Sequence, residues 1–501
     1  MRERNAYAKR LHREILQSTS NLKAFSIISI CFAIATLGGC QTTNTNPPIS
    51  IDVIGGNSAN SYITTDDKSS LLKMQAAIKP ANTNSGDVII KLDNSQKFQT
   101  YIGVGAAITD ASAFLINEKL DDKQRNDLMR ELFSNDGLNL SFTRLTIGAS
   151  DFSQTHYSLN DVPKGQTDVG LKNFNLDAMP KSVLPIIKAA KQINPQLKIM
   201  ATPWSAPGWM KTTDSLIGGS LKPEFYQANA DYLVKYSQEM RKNGINIDFL
   251  SIQNEPHYTG ADYPGMLVKH DERAKFVKEN LGPALAKMDN APKILEWDHN
   301  WNEPDEPRKV LEDKDAAKYI DGIGWHCYGG SPDTQGKLHD QFPDKDTYFT
   351  ECSGGEWAKN WSTDMQWQSK NLIIETTRNW AKGVLLWNLA LDEKFGPHLG
   401  GCGDCRGVVT INSQTGEITR NMEYYVLGHI SKFVQIGAKR IASNSGQNDV
   451  YNVAFENPDG SIAVIMVNMS KNTQKISLEL SQKYYNFEIP KAALQTIIIP
   501  K

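Results

Sequence analysis

The sequence carries almost no net charge and offers no obvious membrane span. Its 501 residues include 54 Lys and Arg against 56 Asp and Glu, a formal net charge of −2. This balance gives no reason to expect nucleic acid or an anionic membrane surface as a partner. The apolar stretch AFSIISICFAIATL (24–37) has 14 residues. A stretch of that length is too short for a comfortable bilayer span.

Cysteine is also scarce, with six residues in the chain. Four of them lie beyond the N-terminal region: Cys327, Cys352, Cys402 and Cys405. The Cys402-Gly-Asp-Cys405 motif has no second pair, which makes it a weak indication of a zinc site. In an exported chain, where disulfides persist, it is as consistent with a small loop staple.

The N-terminal region has the features of an export signal. Basic residues precede the apolar stretch, which ends in Leu37-Gly38-Gly39-Cys40 and resembles a bacterial lipobox. We expect residues 1–40 to be a lipoprotein signal peptide, Cys40 to carry the lipid, and residues 41–50 to be a polar linker. The expected location is a membrane-anchored position in the periplasm or at the cell surface. The alternative is plain secretion with a chance cysteine.

From about residue 100 the chain repeats a short apolar run, a polar and aromatic cluster, and a helical stretch. Helical spacing of apolar residues occurs in 122–133, 182–193 and 229–243. Continuous apolar runs are typical of buried parallel strands, and eight such units predict a (β/α)8 TIM barrel over 99–425. A doubly wound sheet is less favoured, because GVGAAIT (103–109) lacks the G-x-G-x-x-G spacing. The eight runs are 101–110, 140–151, 197–209, 247–257, 293–301, 321–330, 347–355 and 383–392.

The C-terminal part follows a different pattern. The segment DVYNVAFENPDGSIAVIMVNMS (449–470) alternates apolar and polar residues around a Pro-Asp-Gly turn, which predicts a hairpin. We expect 426–501 to form an antiparallel β-sandwich that strands from 51–98 complete. The predicted fold is therefore an α/β barrel with an attached β-sandwich, and we expect a monomer.

Polar side chains follow the predicted strands at their carboxyl ends, where the active sites of such barrels lie. Glu255 ends the fourth strand and Glu351 the seventh. Retaining glycosidases need two carboxyls about 5 Å apart, one to attack the anomeric carbon and one to protonate the leaving oxygen. Asn254, next to Glu255, suits a hydrogen bond to a sugar 2-hydroxyl. The other side chains expected at the mouth are Asp110, Arg144, Asp151, Trp204, Asp298, His299, Asn300, His326, Tyr328, Trp387 and Asn388.

The motifs IQNEP (252–256), TPWSAPGWMK (202–211), WHCY (325–328) and FTECSGG (349–355) resemble those of glycoside hydrolase family 30. The resemblance to this glucosylceramidase-like family covers most of the mature chain. It implies a retaining β-glycosidase that acts on a β-linked glucan or glucoside without a cofactor. Glu255 would be the acid/base and Glu351 the nucleophile. The implied sugar contacts come from Asp151, Trp204, Asn254, His326, Tyr328 and Trp387.

Alternatives to a glucosylceramidase-like activity stay open. The loop GPHLGGCGDCRGVVTI (396–411) departs from the animal lysosomal members of the family and resembles bacterial and fungal ones, some of which cleave β-1,6-glucan. An endo-β-1,6-glucanase is therefore the alternative enzyme. A non-catalytic, glycan-binding surface lipoprotein is the alternative outside catalysis.

Several of these side chains also have simpler interpretations. Asp151 could cap the segment that follows it, and Trp204 and Trp387 could be core tryptophans. Arg144 is expected to pair with a carboxylate and orient it. A metal site built from Asp298, His299 and His326 is not expected, because no metal-ligand spacing supports it.

Overall fold

A computed structural model describes residues 57–501. The predicted signal peptide (1–40), the lipidation site Cys40, the linker (41–50) and the start of the N-terminal strand region lie outside the described residues. Within 57–501, the two large sheets are an eight-stranded barrel and a ten-stranded sheet. No helix in this part of the chain combines the length and apolarity that a membrane crossing requires.

The predicted barrel is confirmed, with each neighbouring pair of its eight described strands parallel. Every strand begins within two residues of its predicted run. Between the first and second strands the barrel is closed by two backbone bonds, Ser141 N to Val104 O at 3.1 Å and Ile108 N to Arg144 O at 3.0 Å. The strands are Gly103–Ala107, Phe142–Ile147, Lys198–Pro203, Phe249–Ser251, Lys293–Asn300, Ile320–His326, Asp346–Glu351 and Ala381–Asn388.

Helices connect the barrel strands and cover their outer face. The predicted helix 122–133 has the expected bounds and begins with a capping box formed by Asp121 and Gln124. The main helices are Asp110–Glu118, Asp122–Phe133, Val183–Ile193, Tyr226–Lys242, His270–Phe276, Gly282–Leu285, Asp305–Glu312, Lys314–Ala317, Asp333–Gln341, Trp361–Gln368, Thr376–Arg378 and Met422–Ser431. The π-helical segments Val277–Leu281 and Ser369–Glu375 continue two of these helices.

The barrel interior changes from apolar to polar along the strands. One buried cluster joins residues from six strands: Phe142, Met200, Phe249, Leu295, Tyr348 and Leu385. Side chains two positions apart on a strand share a face. The next inward positions toward the mouth therefore include Arg144, Thr202 and Thr350, all buried. A polar layer thus lies directly above an apolar one.

The second sheet joins the two ends of the described chain. Asn60–Thr64 pairs antiparallel with Leu494–Ile499, and Val88–Thr100 pairs antiparallel with Lys439–Ser443. The other strands of this sheet are Lys73–Met74, Pro80–Ala81, Val450–Glu456, Ile462–Asn468, Gln474–Leu480 and Lys483–Ile489. Short pairings outside it involve Gly354–Gly355 with Cys405–Arg406, and Ala390–Leu391, Val409–Ile411 and Ile418–Arg420 with one another.

The helix Met422–Ser431 connects the barrel to the second sheet, and the predicted boundary between residues 425 and 426 falls inside it. Its buried His429 has hydroxyl partners on two strands, with Nε2 2.9 Å from Thr64 Oγ1 and Nδ1 2.9 Å from Thr496 Oγ1. Burial lowers the pKa of His429 to about 3. The imidazole is therefore neutral, which suits a contact between two hydroxyl groups.

Candidate active site

Glu255 and Glu351, the two acids singled out from the sequence, are buried at the carboxyl ends of the fourth and seventh strands. The chain bends sharply at the first of them, where Glu255 has a φ of 45° and its N–H donates to the carbonyl of Asp298 at 3.1 Å. Trp297 and Asp298 also have positive φ, 71° and 53°. Positive φ is uncommon for non-glycine residues, and backbone strain of this kind tends to cluster at functional sites.

Arg144 binds both sides of the mouth through one fully buried guanidinium. Its Nη1 donates to Glu351 Oε2 at 2.5 Å, and its Nη2 donates to Asp298 Oδ2 at 2.7 Å and to Asn254 Oδ1 at 2.8 Å. Its Nε donates to Thr202 Oγ1 at 3.1 Å. The expectation that Arg144 pairs with a carboxylate is confirmed, and it pairs with two.

Glu351 receives a second bond from the sixth strand. The Tyr328 hydroxyl donates to its Oε1 at 3.0 Å, so each carboxylate oxygen accepts from a different donor. A positive charge and a hydrogen-bond donor both favour the ionised form of a carboxyl group. The arrangement thus stabilises a carboxylate in a fixed orientation, which is the form a nucleophile requires.

His326 lies between Glu255 and Asp298. Burial acts to raise the pKa of Asp298, but the Arg144 charge and the His326 hydrogen bond outweigh it and lower the pKa below its usual value. The ionised Asp298 can only accept, so His326 Nε2, 3.0 Å from its Oδ1, must carry a proton. His326 Nδ1 faces Glu255 Oε1 at 3.3 Å. A hydrogen bond between these two atoms requires a proton on one of them.

His299 also approaches the acid, with Nδ1 3.6 Å from Glu255 Oε1. One ligand-type atom from each of Glu255, His299 and His326 lies within 4.8 Å of the others. These three buried groups could hold a metal ion. The metal site considered from the sequence comprised Asp298, His299 and His326. In the structure Asp298 contacts His326 through Nε2, whereas Glu255 contacts it through Nδ1. The third candidate ligand is therefore Glu255 and not Asp298.

Trp204 and Trp387 form one apolar wall of the mouth. Their rings stack with centroids 4.8 Å apart and planes inclined by 16°. The Arg144 guanidinium lies 4.8 Å from the Trp204 ring centroid and 5.6 Å from that of Trp387. Cation–π attraction therefore adds to the bonds that hold the guanidinium in place.

Asp151 lies beneath the loop that follows the eighth strand. It is buried, and its carbonyl accepts from Leu399 N at 2.9 Å. A Cβ at Gly401, which has a φ of 71°, would lie 2.2 Å from Asp151 Cβ. Only glycine fits at this position, and the close approach lets the loop cover the Asp151 side of the mouth.

Three other expected mouth residues are engaged in local hydrogen bonds. Asp110 accepts from Ser153 Oγ at 2.6 Å and from the Tyr157 hydroxyl at 3.0 Å. Asn300 Oδ1 accepts from the backbone N–H of Tyr328 at 2.9 Å. Asn388 Oδ1 accepts from Thr109 Oγ1 at 2.8 Å. These bonds orient the loops around the site.

Sequence reasoning missed two side chains of the site. Thr202 and Thr350 both contact Asp298, with Thr350 Oγ1 donating at 2.7 Å. Their position two residues beyond an inward apolar residue on each strand was a usable signal. A disulfide also joins Cys327 to Cys352, with Cα atoms 5.4 Å apart. The sequence had left the disulfide state of this pair open.

That disulfide covalently joins the ends of the sixth and seventh strands. Cys327 lies between His326 and Tyr328, and Cys352 directly follows Glu351. A second disulfide, Cys402–Cys405, closes the loop after the eighth strand, so the small loop staple considered from the sequence is present.

The two buried glutamates lie after the fourth and seventh strands, at the face of a parallel barrel where active sites are found. Residues 101–434 match the glycosyl hydrolase family 30 TIM-barrel domain, and residues 437–497 match the glycosyl hydrolase family 30 beta sandwich domain. The chain belongs to glycoside hydrolase family 30 and is a retaining glycosidase. The family resemblance seen in the sequence is confirmed, as is the barrel-plus-sandwich fold.

Known relatives cover nearly the whole described chain. It is 32% identical over 455 residues to an endo-1,6-beta-D-glucanase of Aspergillus fumigatus, covering 85% of this chain and 90% of that protein. It is 31% identical over 434 residues to the lysosomal acid glucosylceramidase of Mus musculus, covering 80% and 81%. A solved endo-beta1,6-glucanase superposes with a TM-score of 0.82 at 33% identity, covering 89% of this chain and 100% of that one.

Proposed function

We propose that the protein is an endo-acting β-1,6-glucanase. The observation that carries this proposal is the similarity of this chain to a solved endo-beta1,6-glucanase, which it matches over the whole length of that glucanase. Fungal endo-1,6-beta-D-glucanases match with similar identity. The sequence motifs favour a glucosylceramidase-like substrate first and β-1,6-glucan second, and the relatives support the reverse order. The resemblance of the loop 396–411 to bacterial and fungal members, which the sequence suggested, favours the same substrate.

In the proposed mechanism, Glu351 attacks the anomeric carbon while Glu255 gives its proton to the leaving glycosidic oxygen. The products of this step are a glucosyl ester on Glu351 and a shortened glucan with a free hydroxyl. Glu255, now a carboxylate, then takes a proton from water, whose oxygen displaces Glu351 from the sugar. The contact of His326 with Glu255 and the bonds that Arg144 and Tyr328 donate to Glu351 support these roles.

The proposed sugar contacts surround the two acids. Asn254 accepts from Arg144 through its oxygen, so its amide nitrogen can donate to the 2-hydroxyl of the bound glucose. Asp151 would accept from sugar hydroxyls, and the Trp204–Trp387 pair would exclude water from one side of the ring. His326 and Tyr328 would act mainly through the two glutamates that they contact.

We further propose that the chain is exported and held at a membrane by a lipid on Cys40. Two disulfides in residues 57–501 suit an oxidising compartment. Labelling of cells with a radioactive fatty acid, compared between wild type and Cys40→Ala, tests the anchor. Unlabelled wild-type protein in the culture medium would favour plain secretion.

A substrate panel tests the proposed activity. Purified protein is incubated with β-1,6-glucan, laminarin, xylan and glucosylceramide, and the products are separated by chromatography over time. We expect β-1,6-glucan to be cleaved at least about tenfold faster than the others. Early release of oligosaccharides of mixed length indicates internal cleavage, whereas glucose alone indicates action at chain ends. Faster cleavage of glucosylceramide would contradict the proposal.

A trapping experiment separates an enzyme from a glycan-binding protein. A 2-deoxy-2-fluoro glucoside with a good leaving group should form a stable ester on Glu351, detected by peptide mass mapping. No adduct, together with no turnover of any substrate in the panel, would favour the glycan-binding alternative.

A further inference from the structure

Three buried side chains, Glu255, His299 and His326, bring candidate metal-ligand atoms close together. His326 Nδ1 and His299 Nδ1 lie 3.3 and 3.6 Å from the same carboxyl oxygen, Glu255 Oε1. The three ligand-type atoms all lie within 4.8 Å of one another. A zinc ion with bonds of about 2.0–2.2 Å in tetrahedral geometry holds its ligand atoms roughly 3.4 Å apart. Two of the three separations are thus already close to the required value.

The surrounding groups orient these donors as they do in zinc proteins. His326 Nε2 donates to Asp298, which directs Nδ1 toward Glu255. A carboxylate on the far nitrogen of a ligating histidine fixes its tautomer and ring orientation. Asp298 is itself held by Arg144 and by Thr350. Two imidazole nitrogens and one carboxylate oxygen form a donor set that suits Zn²⁺ or Cu²⁺ better than Mg²⁺ or Ca²⁺.

The local charge does not exclude a dication. Arg144, a cation at the mouth, is paired with both Asp298 and Glu351. Together with Glu255, these groups comprise three carboxyls and one guanidinium. Carboxyl groups therefore outnumber the guanidinium, which favours the binding of a divalent cation.

We propose that Glu255, His299 and His326 form a capture site for one transition-metal dication, which inhibits the enzyme. The ion binds Glu255 Oε1, His299 Nδ1 and His326 Nδ1, and a proton held on any of these atoms passes to water when the ion binds. Glu255 then cannot protonate the leaving oxygen. The ion is an inhibitor and takes no part in the reaction. The inhibition depends on the proposed role of Glu255, whereas the binding does not.

The test measures binding separately from activity. Tag-free protein, first treated with chelator, is titrated with Zn²⁺ in a calorimeter and with Co²⁺ in a spectrophotometer, where tetrahedral cobalt absorbs visible light. We expect one ion per chain. Binding should be lost in Glu255→Gln and weakened about 100-fold in His299→Ala. Cleavage of β-1,6-glucan should fall over the same Zn²⁺ range and recover when chelator is added.

A matched control addresses a second histidine site at the surface. His257 is partly exposed, with Nδ1 2.9 Å from Glu303 Oε2 and Nε2 2.8 Å from Glu306 Oε2. His257→Gln should bind Zn²⁺ as the wild type does. Circular dichroism checks that each variant is folded, and His299→Asn replaces His299→Ala if the latter is not.

Two outcomes would overturn the proposal. The first is the absence of binding at Zn²⁺ concentrations up to the order of 1 mM. The second is binding that survives in the His299 variants and disappears in His257→Gln, which would assign the ion to the surface cluster. If β-1,6-glucan is not cleaved at all while these binding results hold, the proposed substrate fails and the metal site stands.

Discussion

Replacement of Arg144 by lysine tests the proposed organisation of the site. The arginine donates to four buried partners, Glu351, Asp298, Asn254 and Thr202. Lysine keeps the charge, but its single nitrogen cannot reach across the same fork of acceptors. At least two bonds are lost, one of them to a charged group. A bond to a charged group contributes about 1.5–3 kcal/mol and a neutral one about 1 kcal/mol, so Arg144→Lys should lower the free energy of unfolding by roughly 3 kcal/mol.

The assay is urea unfolding of Arg144→Lys beside the wild type, with Arg420→Lys as a matched control. Arg420 binds Glu131 through two nitrogens, yet its side chain is 39% exposed. Exposed pairs contribute at most about 1 kcal/mol, so the control should be nearly unchanged. Arg144→Lys should also lower kcat at least about 100-fold, because the nucleophile loses its fixed orientation. Equal destabilisation in the two variants would refute the reasoning.

Three further predictions concern the acids and the disulfide. Glu351→Gln should abolish turnover, whereas Glu255→Gln should spare the first step for aryl glucosides with very good leaving groups, seen as a retained burst of the phenol. Burial raises the pKa of Asp110 to about 6. The folded protein therefore binds this proton more tightly than the unfolded chain, and the resulting stability is lost as pH rises from about 4 to 6. Asp110→Asn should remove this pH-dependent fall in the free energy of unfolding, which amounts to up to about 3 kcal/mol at pH 7. Urea unfolding of both proteins across this pH range measures it. Replacing Cys327 and Cys352 together by alanine should cost roughly 3–4 kcal/mol of stability and lower kcat more than it raises KM.

Each of these predictions has an outcome that contradicts it. Equal losses on activated and unactivated substrates would count against the role of Glu255. An unchanged pH dependence of stability in Asp110→Asn would show that this carboxyl is not the titrating group. The Cys402–Cys405 bond spans a sequence separation of 3, against 25 for Cys327–Cys352. Replacing Cys402 and Cys405 by alanine should therefore lower the free energy of unfolding by about half as much as replacing Cys327 and Cys352. If both double variants lose kcat to the same extent, the Cys327–Cys352 bond has no special role in positioning the site.

Local patterns were sufficient to predict the barrel. Each strand is a short apolar run followed by polar residues, and each lies within two residues of its predicted position. Helix 122–133 was predicted to the residue because its capping box and apolar spacing depend only on neighbours in sequence. The domain boundary near residue 425 was harder to predict from the sequence, because the helix Met422–Ser431 packs against both the barrel and the second sheet.

The sequence alone determined that two glutamates end the fourth and seventh strands, because strand direction and period place such residues at one mouth of a parallel barrel. Only the tertiary structure decided how those acids are held. The Arg144 bonds to Glu351 and Asp298 and the contact of His326 with Glu255 each join strands far apart in sequence, and the Cys327–Cys352 disulfide links two consecutive strands. Side-chain direction and distance across a barrel depend on closure and on backbone bends such as that at Glu255, which no local pattern encodes.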